Sequence, residues 1–230
     1  MIDSELSFNH LTHNEIKIIL SVMLFLAIAI FAYLKQQSKV IPLAYRSFFN
    51  LTFFKQAIRE DNSVNYKMGN LLLLQAFVVL SVCLYYFLGD ILSIIYSIRK
   101  EIVFLLIFLL VVVWYSFNYI IRIVVSKISA RPELSNKINL YNRVFVQTMG
   151  VFLLPGALGL YFFPHDIFGV NLQKIAELYV ELVLILLLLN KLVQSLLQSF
   201  EIKISWFYIF LYLCTLEILP LCVGYQLLVN

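Results

Sequence analysis

The chain of 230 residues is 62% hydrophobic and only 13% charged, with a formal net charge of +4 at pH 7. This composition excludes a water-soluble globular protein, which carries about a quarter of its residues as charged side chains. Six long apolar stretches instead predict a membrane protein and leave too few residues for a soluble catalytic domain.

Each apolar stretch is long enough to cross a bilayer, which takes roughly 20 residues as a helix. Backbone groups must be satisfied within lipid, and runs such as Leu182 to Leu189 lack the alternation of barrel strands. We therefore expect an all-α, polytopic transmembrane helix bundle that forms a single integral membrane domain over residues 1–230. The predicted spans are 16–34, 68–88, 102–124, 144–163, 175–197 and 206–227.

The basic residues predict an orientation. All but four of the 17 Lys and Arg residues lie in or beside the loops after the first, third and fifth spans; the exceptions are Lys17, Arg99, Lys100 and Lys174. Because cytoplasmic loops are enriched in Lys and Arg, both termini are expected to face outward, away from the cytoplasm. Anionic lipids beside these loops account for the net charge, so the expected partner is the membrane and not a nucleic acid.

The segment 42–60, which we call the elbow, is predicted to form an amphipathic helix in the cytoplasmic interface. On a helix, Phe48, Leu51, Phe54 and Ile58 make one apolar stripe, with basic residues beside it. The elbow is either a connector that rests on the membrane or a docking surface for a protein partner. Its candidate contact residues are Phe48, Phe49, Phe53, Phe54, Lys55 and Arg59.

Two weaker candidates, Asn142 and Arg143, lie at the cytoplasmic edge of the fourth span. An Arg at this position usually extends to lipid headgroups, and the alternative is contact with a substrate phosphate. The nearby Gly156 and Gly159 form a GxxG pattern, but it lacks the Lys or Ser that a phosphate-binding loop requires.

In the fifth span, Glu177 and Glu181 lie four residues apart and therefore on one face of a helix. They indicate either an entry vestibule for cations or a helix end that extends into water.

The sharpest candidate is Glu217, near the middle of the sixth span and three residues before Pro220. A carboxyl group at this depth must be protonated, hydrogen-bonded or paired with a cation. Pro220 lacks an amide hydrogen, so it leaves the carbonyl of Leu216 available as an acceptor. Glu217 is thus either a proton or cation site or a polar contact between helices. Candidate companions are Asn70, Gln75, Asn118, Gln147, Thr148 and Asn190.

The remaining reactive residue types form no recognisable set. Cys83, Cys214 and Cys222 lie within predicted spans without metal-ligand spacing, so we expect them to serve as apolar packing. The three histidines lie outside the spans, and no serine belongs to a nucleophile-elbow pattern. We expect no catalytic residues, no metal and no cofactor.

Two segments resemble a known family. The run from Phe207 to Leu221, which contains Glu217 and Pro220, resembles the closing signature of the DUF4271 family of integral membrane proteins from Bacteroidota. The run from Ser47 to Asn62, within and just after the elbow, is similar to the other marked stretch of that family. The resemblance implies a location in the inner membrane, with the outward side being the periplasm, and it draws attention to Glu217 and the elbow.

The function we expect is that of a non-catalytic subunit or assembly factor of an inner-membrane protein complex, with protein export or secretion as the host process. The alternative is a small proton- or ion-coupled transporter that uses Glu217, although the spans have no clear inverted repeat. A lipid-modifying enzyme comes last, because paired acids or histidines are missing at the interface.

Overall fold

The computed structural model describes residues 2–37, 41, 46, 63–96, 99–128, 132–163 and 171–202. This part of the chain forms five long helices: α1 (Ile2–Gln37), α2 (Ser63–Tyr96), α3 (Lys100–Ile128), α4 (Pro132–Phe162) and α5 (Leu172–Ile202). Every described residue is helical except Arg99, Phe163 and Asn171. The all-α prediction is therefore confirmed for the described residues.

Local sequence signals explain where two of the helices begin. Pro132 is the first residue of α4, a position where its fixed φ suits a helix and its missing amide hydrogen costs nothing. Asn171 precedes α5, and its Oδ1 accepts a hydrogen bond of 3.0 Å from the backbone amide of Lys174. Asn171 thus acts as an N-cap residue that satisfies one of the unpaired amides of the first turn.

Four of the described helices are long and apolar enough to cross a membrane, over the segments Ile16–Gln36, Met68–Gly89, Lys100–Ile121 and Asn139–Phe162. They correspond to the first four predicted spans, and they make the chain a multi-pass membrane protein. The fifth predicted span lies within α5, which is not among these four, and the sixth lies outside the described residues. The total of six spans and the orientation of the termini stay predictions.

The core of the bundle is made by α2 and α4. Their membrane segments are 56% and 67% buried, against 22% for α1 and 11% for α3. Small residues bring α2 and α4 together: a Cβ added at Gly150 of α4 would overlap the Cα and Cβ atoms of Ala76 in α2. The α1 helix joins this core through Leu34, which packs with Leu72 of α2. Direct backbone approach is typical of helix packing in lipid.

The first of two compact units, Met1–Ile185, contains α1 to α4 and the first part of α5. In the second unit, Leu186–Asn230, the described part is the C-terminal stretch of α5, which ends at Ile202.

Candidate functional site: polar residues within the helix bundle

A hydrogen-bonded chain, which we call the Tyr86 cluster, joins α2 to α5. The Nε2 of Gln173 donates to the Tyr86 hydroxyl over 2.7 Å, and this hydroxyl donates to Oε1 of Glu177 over 2.5 Å. The ring of Tyr161 in α4 meets the Tyr86 ring edge to face, with centroids 6.0 Å apart. The cluster therefore brings three helices together around one phenol group.

The Tyr86 cluster gives Glu177 a structural partner that the sequence analysis did not foresee. Glu181, one turn further along α5, is exposed. Sequence reasoning missed Tyr86 and Gln173, although Gln173 lies four residues before Glu177 and so on the same helix face. That spacing was the available signal that both side chains reach toward one group.

A second polar group, the Arg143 cluster, joins α4 to α2 near the other end of these helices. Arg143 donates from Nη2 to Oδ1 of Asn70 over 2.8 Å, and Gln147 donates from Nε2 to the carbonyl oxygen of Gly69, also over 2.8 Å. A Cβ at Gly69 would lie 2.8 Å from Nη2 of Arg143. Glycine at this position therefore makes room for both side chains. The neighbouring Asn142 is half-buried.

The Arg143 cluster shows where the guanidinium group of Arg143 lies. An Arg at the edge of a span is expected to extend toward lipid headgroups, with contact to a substrate phosphate as the alternative. In the structure, one guanidinium nitrogen binds Asn70 of the neighbouring helix. Asn70 and Gln147, considered above as companions of Glu217, are engaged between α2 and α4.

Among the described residues, four polar ones are buried in the core: Gln75, Ser81, Gln147 and Thr148. The hydroxyls of Ser81 and Thr148 bond backbone carbonyls four residues earlier, at 2.7 and 2.8 Å. Gln75 differs, because it is fully buried and, in the described part of the chain, neither its amide oxygen nor its nitrogen has a hydrogen-bond partner. It lies about 5 Å along the helix axis from the midpoint of its span, at 1.5 Å per residue. An unsatisfied buried amide costs about 1–3 kcal/mol.

The α3 helix presents the largest uncovered surface of the membrane segments. Its two polar mid-helix residues each bond their own helix: the Ser116 hydroxyl donates to the Val112 carbonyl, and the Asn118 amide donates to the Trp114 carbonyl, both over 2.9 Å. Trp114 is 47% exposed. The polar groups of α3 are thus partly satisfied without help from neighbouring helices.

Gly156 and Gly159 serve helix packing. A Cβ at Gly156 would lie 2.5 Å from Cγ2 of Val180, and one at Gly159 would lie 2.8 Å from Cβ of Ala176. The GxxG pattern is therefore the surface of α4 on which α5 lies. The Tyr179 hydroxyl of α5 also donates to the Phe152 carbonyl over 3.0 Å.

That bond lies next to a break in the hydrogen bonding of α4. Pro155 stands inside the helix, where it has no amide hydrogen for the Val151 carbonyl and its ring crowds the preceding turn. The Tyr179 hydroxyl bonds the adjacent carbonyl, that of Phe152, and not the Val151 carbonyl.

Other candidates fall outside the described residues: Glu217, Pro220 and all of the elbow except Arg46, which is exposed. Within the described part, no group of three or more His, Cys, Asp or Glu residues is arranged to hold a metal ion. Cys83 is a buried free thiol in α2, as expected for apolar packing.

Comparison with known proteins identifies a family. The DUF4271 family, described as a domain of unknown function, matches residues 17–228. No curated protein matches the chain. No solved structure matches it. The family match extends over nearly the whole chain, from the start of the first span to the last residues, and so the protein belongs to the DUF4271 family.

Proposed function

We propose that the protein is a non-catalytic subunit or assembly factor of a protein complex in the inner (cytoplasmic) membrane. The proposal rests on one observation about the polar side chains of the described spans. Most of them form a hydrogen bond to a neighbouring helix or to the backbone of their own helix. The Tyr86 cluster joins α2 to α5, and the Arg143 cluster joins α4 to α2. Polar side chains that are bonded in this way stabilise the helix bundle and are not free to bind or convert a substrate.

The uncovered surface of α3 supports the same proposal. Of its membrane segment, 11% is buried within the chain, the lowest share among the four described spans, and this leaves much of the helix surface for lipid or protein neighbours. The orientation with both termini in the periplasm belongs to this proposal, as does a Bacteroidota host in which the complex serves protein export or secretion. In that orientation, the elbow lies at the cytoplasmic surface, where a partner has access to it.

The test is affinity purification of the tagged protein, expressed at its native level and extracted in a gentle detergent, followed by mass spectrometry. The variant replaces Phe48, Phe49, Phe53 and Phe54 of the elbow by Ala. A matched control replaces four apolar residues of α5 by Ala, namely Leu178, Leu182, Ile185 and Leu189, all of which are exposed. A stoichiometric membrane protein that is lost from the elbow variant but retained by the control supports the proposal. Recovery of the chain without a stoichiometric partner in all three samples refutes it.

A second candidate function is a small proton- or ion-coupled transporter, and Gln75 favours it. Transporters bind their substrates near the midplane of the bilayer, and the unsatisfied amide of Gln75 lies at about that depth. In this proposal, Glu217 is the proton or cation site. Replacement of Glu217 by Gln keeps hydrogen bonding but removes the titrating proton. Proton flux into liposomes that is abolished by Glu217→Gln supports transport, whereas unchanged flux excludes Glu217 as the proton site.

A further inference from the structure

One face of α3 carries a stripe of residues with coiled-coil spacing. Phe104, Ile107, Val111, Trp114, Asn118 and Ile121 follow one another at intervals of three and four residues. This is the spacing of heptad positions a and d, which meet a partner helix on one seam. The stripe places Asn118 at an a position, where a single Asn is known to fix the register and number of paired helices.

The stripe is covered over its first half only. Phe104 and Ile107 are buried, and the Phe104 ring meets the ring of Tyr85 in α2 with centroids 5.8 Å apart. From Val111 to Ile121, the described chain leaves every member of the stripe half-buried or exposed. Next to the stripe, the rings of Tyr115 and Phe77 still touch at 5.2 Å. Within the described residues, the second half of the stripe is therefore only partly covered, and its most exposed member is Trp114.

The amide of Asn118 indicates what kind of helix fits. One of its N–H groups donates to the Trp114 carbonyl, and within the described residues its Oδ1 and its second N–H have no hydrogen-bond partner. Asn118 lies about 11 Å along the axis from the midpoint of the span Lys100–Ile121, inside a hydrocarbon core that extends about 15 Å to each side. Lipid chains at this depth have no groups that pair with an amide.

We propose that α3 pairs with α3 of a second copy of this chain, with Asn118 facing Asn118 across a two-fold axis. A second copy in the same membrane orientation brings the same amide to the same depth. Each amide then offers the oxygen and the one N–H that the other needs, so the contact is self-complementary. Heterologous partners lack this guaranteed match. This inference does not rest on the proposed function, because a dimer forms whether or not another protein binds.

The first test uses disulfide cross-linking in native membranes. Cys83, Cys214 and Cys222 are replaced by Ala, and a single cysteine is introduced by Trp114→Cys or by Ser116→Cys, so that Asn118 is kept. Trp114 belongs to the stripe and is exposed. Ser116 is the matched control, since it lies in the same turn on the opposite side of α3 and is exposed. Two differently tagged copies are co-expressed and oxidised. We expect a doubly tagged, cross-linked dimer several-fold more abundant for Trp114→Cys. Equal yields at both positions, or a product that joins one copy to another protein, overturn the proposal.

The second test measures the strength of the contact by energy transfer between labelled copies in liposomes at varying protein-to-lipid ratio. Asn118→Leu is expected to weaken the dimerisation constant about three- to thirtyfold, the range that hydrogen bonds between membrane helices contribute. Asn118→Gln retains the amide and is expected to recover part of this loss, whereas Ser116→Ala is expected to have no effect. A chain that stays monomeric at every ratio, or an Asn118→Leu variant that pairs as well as the parent, refutes the dimer.

Discussion

The α4 helix approaches α2 and α5 closely at two pairs of glycine and alanine. When the two residues of a pair are exchanged, their helix propensities cancel, so the change in stability reports packing alone. Gly150 faces Ala76 of α2, and Gly159 faces Ala176 of α5. Exchanging the glycine and the alanine within each pair gives two double variants, Ala76→Gly with Gly150→Ala and Gly159→Ala with Ala176→Gly. An alanine is more favourable than a glycine in a helix by about 1 kcal/mol, so each exchange gains and loses the same amount.

The two exchanges differ in the atoms that the new Cβ meets. At position 150 the nearest atom is the Cα of Ala76, which remains when Ala76 becomes glycine. At position 159 the nearest atom is the Cβ of Ala176 at 2.8 Å, which is removed by the exchange, and the next is the movable ring of Phe163 at 3.3 Å. Overpacking against fixed backbone costs about 1–3 kcal/mol. The first exchange should therefore lower the unfolding free energy by about this amount, and the second should leave it nearly unchanged.

The assay is SDS-induced unfolding in mixed detergent micelles, followed by far-UV circular dichroism and tryptophan fluorescence. The parent and both exchange variants are compared at the same protein and detergent concentrations. Equal stability of the two exchange variants would refute the reasoning, because it would mean that α2 and α4 separate at no cost. The second exchange serves as the control for the first, because its helix propensities also cancel while its closest overlap is removed.

Three further predictions concern the buried polar groups and the orientation. Gln147→Leu should lower the unfolding free energy by about 0.5–1.5 kcal/mol, the net value of one hydrogen bond, because it removes the bond from Gln147 to the Gly69 carbonyl. Gln75→Leu should be neutral or stabilising because Gln75 has no such bond within the described residues, and similar losses in the same SDS assay would contradict this difference. In a double-mutant cycle, Tyr86→Phe and Glu177→Ala should show a coupling energy of about 1 kcal/mol. This is less than a fully buried hydrogen bond to a charged group contributes, because both side chains are partly exposed. Additive effects of the two substitutions would show that the bond contributes nothing to stability. Alkaline phosphatase fused to either terminus should be active, since it folds only in the periplasm, and activity of a fusion placed in the elbow instead would reverse the orientation.

The sequence predicts the helices well because the constraint of the bilayer acts on each segment separately. A run of about 20 apolar residues must be helical whatever surrounds it, so the first four predicted spans coincide with long apolar helices. Pro132 and Asn171 mark the starts of α4 and α5 through local backbone chemistry. None of these signals requires knowledge of the neighbouring helices.

The candidate site was harder to predict because it depends on which helix faces meet. Glu177 stands out in the sequence as an acidic residue of a predicted span. Its partner Tyr86 lies 91 residues earlier and looks like an ordinary aromatic residue near the end of a span. The sequence shows that the GxxG pattern lacks the residues of a phosphate-binding loop, but it does not show what the two glycines do. Their role in helix packing follows only from the position of α5. Long-range pairing leaves little trace in the spacing of a single sequence.

The bond from Tyr179 to α4 has a consequence for biogenesis. A helix with proline in its interior enters the bilayer with a turn that lacks one hydrogen bond, and lipid supplies no substitute. The α5 helix, which the ribosome synthesises only after α4 is complete, covers this turn, since Tyr179 bonds the Phe152 carbonyl and lies against Gly156. The α4 segment should thus remain close to the insertion machinery until α5 arrives, and the two helices should be released into lipid together as a hairpin.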